Sequence, residues 1–212
     1  SGGESDVVIV SSGATLNATG VVSFTATSAT QNNSTDAANA VLTAADGGNR
    51  TISVANATGS SKAFTIAGGD GQDILTGGAG ADIITGGGAV DTIVGGAAID
   101  TITGGAGNDI IDAGAGADII IIGTAGEADG DTIDGGTEAD VLKLSTGGTD
   151  TFSTDNKLQN VETIQAHASG STVVLTGQTE AFTITGSAAT DNITGGGGID
   201  TITGNAGADT IT

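Results

Sequence analysis

The sequence predicts an all-β chain wound as a parallel β-solenoid. Three observations predict it: a nine-residue rhythm that runs without a gap from Gly68 to Ile121, short β-favouring clusters on either side of it, and the lack of a convincing helical period. The rhythm reads GGDGQDILT, GGAGADIIT, GGGAVDTIV, GGAAIDTIT, GGAGNDIID, AGAGADIII, six nonapeptides close to G-G-x-G-x-D-x-U-x, where U is a large aliphatic residue. One such segment says little, because Gly and Asp crowd any turn. Six in register specify a repeating structural unit.

Each nonapeptide divides in two. The Gly-rich half can take positive φ and lets backbone approach closely. The last three residues read as a short strand whose middle side chain faces away from its neighbours. The inward set is then Leu75, Ile84, Ile93, Ile102, Ile111 and Ile120, all large aliphatics, as a stacked β core favours.

These six segments resemble the RTX family, whose repeat forms a calcium-binding β-roll. The resemblance implies two nonapeptides per right-handed turn, so that loops two repeats apart stack on one edge. One edge would carry Asp73, Asp91 and Asp109; the other would carry Asp82, Asp100 and Asp118. It also implies several Ca2+ ions between stacked loops, held by paired Asp carboxylates and by backbone carbonyls of the turns. Calcium takes six to eight oxygen ligands of this kind. The loops 68–73, 77–82 and 104–109 keep all three Gly positions and offer Gly69, Gly71, Gly78, Gly80, Gly105 and Gly107 as their backbone contribution. Ala89 and Ala98 replace the fourth-position Gly of their repeats and predict weaker sites there. Ala113 opens the sixth repeat in place of Gly, a milder change. Plain turn-forming Asp in a metal-free solenoid is the competing reading, but six stacked like charges without a cation repel one another.

Composition narrows the function. The chain has 212 residues, 39 of them Gly, and no Pro, Cys, Met, Trp or Tyr. Its formal charge of −21 argues against a nucleic-acid partner, which needs a Lys/Arg surface. No apolar run is long enough for a spanning helix, so direct membrane insertion is not expected. Without cysteine there is neither a disulfide framework nor a thiolate metal site. High Gly and high charge favour disorder, whereas 37% hydrophobic residues in short clusters favour β structure. A solenoid that is loose without calcium and folded with it reconciles the two. Calcium sites of this class suit an extracellular or cell-surface setting, and the resemblance implies export by type I secretion.

A longer repeat lies beneath the short one. AFTIAGG from Ala63 leads into the first array, and AFTITGS from Ala181 leads into a second, 118 positions later. The second array reads GSAATDNIT, GGGGIDTIT, GNAGADTIT over 186–212 and adds Asp191, Asp200 and Asp209 to the candidate metal ligands. GGESDVVIVS at 2–11 resembles GTEADVLKLS at 136–145, which suggests one full unit and part of the next within a longer protein. The division is a β-rich spacer at 1–67, the array at 68–143 with an insertion at 122–134, a second spacer at 144–185, and the second array at 186–212. Asp131 and Asp140 flank the end of the insertion and are assigned to one further edge, with the roll resuming at Gly135. Strands are expected at Val7–Val10, Val21–Thr27, Ala40–Thr43, Thr51–Ala55, Ala63–Ala67, Val141–Leu144, Val161–Ala166, Thr172–Thr176 and Ala181–Thr185, with a short helix or a loop over 27–40. The spacers either continue the solenoid or cover its end with a small sheet.

No catalytic or cofactor-binding constellation emerges. His167 is the only histidine, and no G-x-S-x-G elbow accompanies the many Ser and Asp residues. Glu127 and Glu138, beside the insertion, are either supplementary calcium ligands or solvated charges. The expected protein is therefore not an enzyme. The leading reading is a calcium-dependent structural protein of the bacterial cell surface (S-layer, sheath or extracellular matrix), whose partners are calcium and copies of itself or neighbouring units of one long chain. The alternatives are an extender module of a large RTX adhesin, or the calcium-folding, secretion-linked tail of a toxin or hydrolase.

Overall fold

The computed structural model describes residues 9–10, 17–21, 23–25, 31–32, 40–44, 48–55, 57, 63–123 and 126–212. Among them there is no helix, and the strands form a parallel β-solenoid. One face is a continuous ten-stranded sheet that runs from Asn17–Val21 to Thr201–Thr203 and joins both arrays. The opposite face begins as a seven-stranded sheet, from Ser23–Thr25 to Leu158–Gln159. A four-stranded sheet, from Thr149–Thr151 to Thr210–Ile211, then takes over.

Turn length follows the sequence pattern. In the array Thr101 pairs with Ile83 and with Ile119, so one turn is 18 residues, or two nonapeptides. The spacers run longer: Val41 pairs with Thr65, 24 residues on, and Thr163 with Thr183, 20 residues on. The spacers thus continue the solenoid with looser turns.

Strand alternation stacks apolar side chains into two inward columns. Leu42, Ile66, Ile84, Ile102, Ile120, Leu142, Ile164 and Ile184 line the ten-stranded face, and all are buried. Phe24, Ile52, Leu75, Ile93, Ile111, Ile133 and Leu158 face them. The six residues expected inside are all there. Each such side chain contributes about 1.5–3 kcal/mol by burial.

Three departures from expectation concern the insertion and the spacers. The ladder resumes at Thr132, which pairs with Ile110, and not at Gly135. The reason is local: Asp131-Thr-Ile-Asp repeats the Asp-x-aliphatic pattern of an array strand, so only four extra residues separate the two turns. Strands at Thr149–Thr151 and Leu158–Gln159 were not expected. They give the turn between Val141 and Thr163 a third side, where one back sheet hands over to the other. In the stretch 27–40, Gln31–Asn32 pairs with Ile9–Val10, and most of the remainder lies outside the described residues.

Candidate metal centre

The repeat Asp lies two residues before the inward aliphatic, so both side chains point inward. The aliphatic lies in the core and the Asp at its corner. Stacking then joins the Asp residues into hydrogen-bonded ladders. On one edge the N–H of Asp73 donates to Asp91 Oδ1 at 2.8 Å, Asp91 to Asp109 at 2.8 Å, and Asp109 to Asp131 at 2.8 Å. On the other, Asp82 donates to Asp100 at 2.7 Å, Asp100 to Asp118 at 2.7 Å, and Asp118 to Asp140 at 2.6 Å. Asp131 and Asp140 therefore extend these two ladders and form no further edge. A third ladder runs from the Ser171 N–H to Asp191 at 2.7 Å and from Asp191 to Asp209 at 3.0 Å. Asp200 stands under Phe182 on the ten-stranded face.

These carboxylates are buried, apart from the half-buried Asp200 and Asp209. Burial raises Asp91, Asp100 and Asp131 to about 7, and Asp82 and Asp140 to about 6, against opposing backbone N–H bonds. Neighbouring Asp residues in the ladder add to the rise at Asp91 and Asp100. Asp73, Asp109 and Asp118 are raised from the same leading cause. Such a column holds its negative charge at neutral pH only when cations offset it.

The second carboxylate oxygen divides the loops into two states. In Asp73, Asp91, Asp100, Asp109, Asp118 and Asp140 the buried Oδ2 has no hydrogen-bond partner. In every one of those loops the second residue is a left-handed glycine: Gly69, Gly87, Gly96, Gly105, Gly114 and Gly136, with φ from 96° to 121°. In the other state the second residue turns its own N–H onto Oδ2. Gly78 donates to Asp82 at 2.6 Å, Ser187 to Asp191 at 2.7 Å and Gly196 to Asp200 at 3.0 Å. The left-handed peptide does not turn its N–H onto Oδ2 and leaves that buried oxygen unpaired inside the loop. A buried, unpartnered carboxylate oxygen beside glycine carbonyls fits a hard cation such as Ca2+. The expected backbone set splits accordingly: Gly69 and Gly105 belong to open loops, and Gly78 to a closed one. Gly107 is left-handed at the fourth position, at φ 144°, whereas Gly71 and Gly80 are not left-handed.

The fourth position also carries strain. Ala89 and Ala98 sit at φ 67° and 72°, and Glu138 at 76°, yet Asp91, Asp100 and Asp140 keep their places in the ladders. The two Ala loops share the open state, so substitution at the fourth position does not separate the loops.

Sequence reasoning missed how the ladders begin and end. The N–H of Phe64 donates to Asp82 at 2.6 Å and that of Phe182 to Asp200 at 2.9 Å. The Phe of each AFTI motif thus occupies the Asp position and opens a ladder. Glu162 accepts from the Asp140 N–H at 2.8 Å and ends the longest one. Its signal was present, since Glu-Thr-Ile-Gln is an array strand with Glu for Asp. Arg50 opens the opposite ladder through its N–H to Asp73 Oδ1 at 2.6 Å, and its charge favours the Asp73 carboxylate. Lys157 does the same for Asp131 at the far end, with its Nζ on the Gly130 carbonyl at 2.9 Å.

Corner positions show why the spacers differ. A Cβ built on Gly77 would lie 2.6 Å from Asp82 Oδ2, so the array corner is filled by a carboxylate folded back over glycine. The buried residues Ile122, Leu144, Phe152 and Leu175 fill the equivalent corners of the spacer turns with hydrocarbon. Among the described residues no three His, Cys, Asp or Glu side chains converge. Pairs of carboxylates with backbone oxygens are what the loops offer. Glu138 accepts from the Gly116 N–H at 2.9 Å, and His167 Nδ1 lies 2.7 Å from Ser169 Oγ in a tight turn.

The family described as RTX calcium-binding nonapeptide repeat (4 copies) matches residues 65–93, 85–120 and 185–212. These segments carry RTX calcium-binding nonapeptide repeats, the family that the sequence resembles. No curated protein and no solved structure matched it.

Proposed function

We propose that this chain is a calcium-dependent structural protein of the bacterial cell surface, part of an S-layer, sheath or extracellular matrix, and not an enzyme. The observation that carries this reading is the matching start of the two units. Phe64 and Phe182 play the same part, each opening a carboxylate ladder, and one ten-stranded sheet passes through both units without a break. A unit that stacks on its neighbour through one continuous sheet and then opens its own ladder suits a long extracellular assembly. Exposed Ile74, Ile99 and Ile110 on the array offer apolar surface to a neighbouring copy. Abundant extracellular calcium would keep the loops loaded, consistent with export by type I secretion.

Sedimentation velocity and electron microscopy, in calcium and after chelation, test the proposal. Ordered oligomers or arrays that appear with calcium and dissolve with chelator are expected. A monodisperse monomer at high concentration in calcium would overturn it.

A further inference from the structure

The inward column of the four-stranded sheet reads Asp150, Val173, Ile193, Ile211. Asp150 therefore stands where the fold otherwise puts an aliphatic. It is fully buried, at 0% exposure. Its Oδ1 accepts the Gly126 N–H at 3.0 Å, and its Oδ2 has no partner. A carboxylate in that setting is costly unless something offsets its charge. The neighbouring charge that acts on it is Glu127, of the same sign.

Glu127 lies in the segment 126–129, which stacks directly on this strand. Gly126 bonds Asp150, and Asp129 Oδ1 accepts the Ser153 N–H at 3.3 Å. Two acidic residues thus come from successive turns of the stack, the relation that array loops have to one another. Neither belongs to a G-G-x-G-x-D motif.

We infer that the segment 126–129 and strand Thr149–Thr151 build a further calcium site, with Asp150 and Glu127 as its carboxylates and backbone carbonyls and water completing the shell. The site rests on the reading that the array loops take calcium. It carries the metal column past the last nonapeptide, to the turn where one back sheet replaces the other.

Calcium stoichiometry of the whole chain, by calorimetric titration and native mass spectrometry, tests this. Asp150→Asn should bind one ion fewer than wild type. Glu127→Gln should lose the same ion, and the double variant no more than either. Asp91→Asn, in the array, should lose a different ion, so that its loss adds to that of Asp150→Asn. Should Asp150→Asn fail to fold, Asp150→Val restores the aliphatic column and should fold with one ion fewer. A wild type without calcium would sink the array reading itself. A wild type that binds calcium, with an unchanged ion count in the Asp150 variants, would overturn only this site and leave Asp150 a buried neutral acid.

Discussion

The loop ending at Asp100 and the loop ending at Asp191 have the same length and hang from the same kind of ladder. Both carboxylates are buried, and each Oδ1 takes an N–H from the turn before at 2.7 Å. They part at the second residue. Gly96, at φ 120°, leaves Asp100 Oδ2 without a partner. Ser187 closes on Asp191 Oδ2 with its N–H at 2.7 Å and its hydroxyl at 3.0 Å. The first carboxylate keeps one oxygen without a protein partner; the second is satisfied by the protein. Membership in the repeat pattern therefore does not fix how a loop treats its carboxylate; the peptide at the second position distinguishes the two states.

Removing calcium gives the largest effect expected from this difference. The open loops of the first array hold buried, unpartnered oxygens, so exhaustive chelation at neutral pH should unfold that array and abolish most of the β signal in circular dichroism. The pH dependence has a definite sign. Asp91 and Asp100 are raised in the fold to about 7, above the ordinary value near 4, so protonation favours the folded state. In chelator, that stability is fully present below about pH 4 and is lost as pH rises through about 7. Chelated protein should regain β structure on acidification, while calcium-loaded protein should release its ions over the same range. Equal β content at pH 7.5 with and without calcium would break the comparison.

Next in size is the corner. A Cβ on Gly86 would run into the Asp91 carboxylate and the Gly104 carbonyl, one of them immovable backbone. Gly86→Val should destabilise the calcium-loaded fold by about 1–3 kcal/mol through overpacking. For Gly104→Ala the nearest atoms are those of the movable Asp109 side chain, and it should cost less. Thermal midpoints in calcium compare the two, and equal losses would show that the corner is softer than the stacking suggests.

Ser187→Gly sharpens the contrast from the other side. It removes the hydroxyl bond to Asp191 and permits the left-handed peptide seen at Gly96. The variant should bind calcium more tightly at the second array, or take up one more ion, with the first array unchanged. Unaltered titration would show that the closed state is set by the surrounding turns and not by residue 187.

Much of this was legible in the sequence because a period of nine fixes two things at once. It placed Ile84 and Ile102 in one column and Asp82 and Asp100 in one ladder, since residues 18 apart stack in register. The loop states were not legible. Gly78 and Gly96 are the same residue in the same motif position, yet only Gly96 is left-handed, and nothing local in sequence separates them. The ladder ends were hidden for another reason. Arg50 and Phe64 occupy Asp positions, so a search for Asp passes over them. Strand Thr149–Thr151 escaped because its inward residue is Asp150, which reads as part of a Gly-rich turn.

The smallest predicted effect tests whether the fourth position matters at all. Ala89 and Ala98 hold φ 67° and 72°, a conformation that costs a residue with a Cβ about 1 kcal/mol relative to glycine. Their loops nevertheless share the open state with Gly-bearing loops, and their carboxylates keep the same ladder bonds. The strain is thus local to the turn and is not relayed to the unpartnered oxygen. Ala89→Gly and Ala98→Gly should each stabilise the calcium-loaded protein by about 1 kcal/mol, a rise of roughly 2–4 °C in a chain of this size. Calcium affinity should move little. A large gain in affinity, or an extra ion, would mean that the fourth residue shapes the site directly, and the second position would lose its claim to be what separates Asp100 from Asp191.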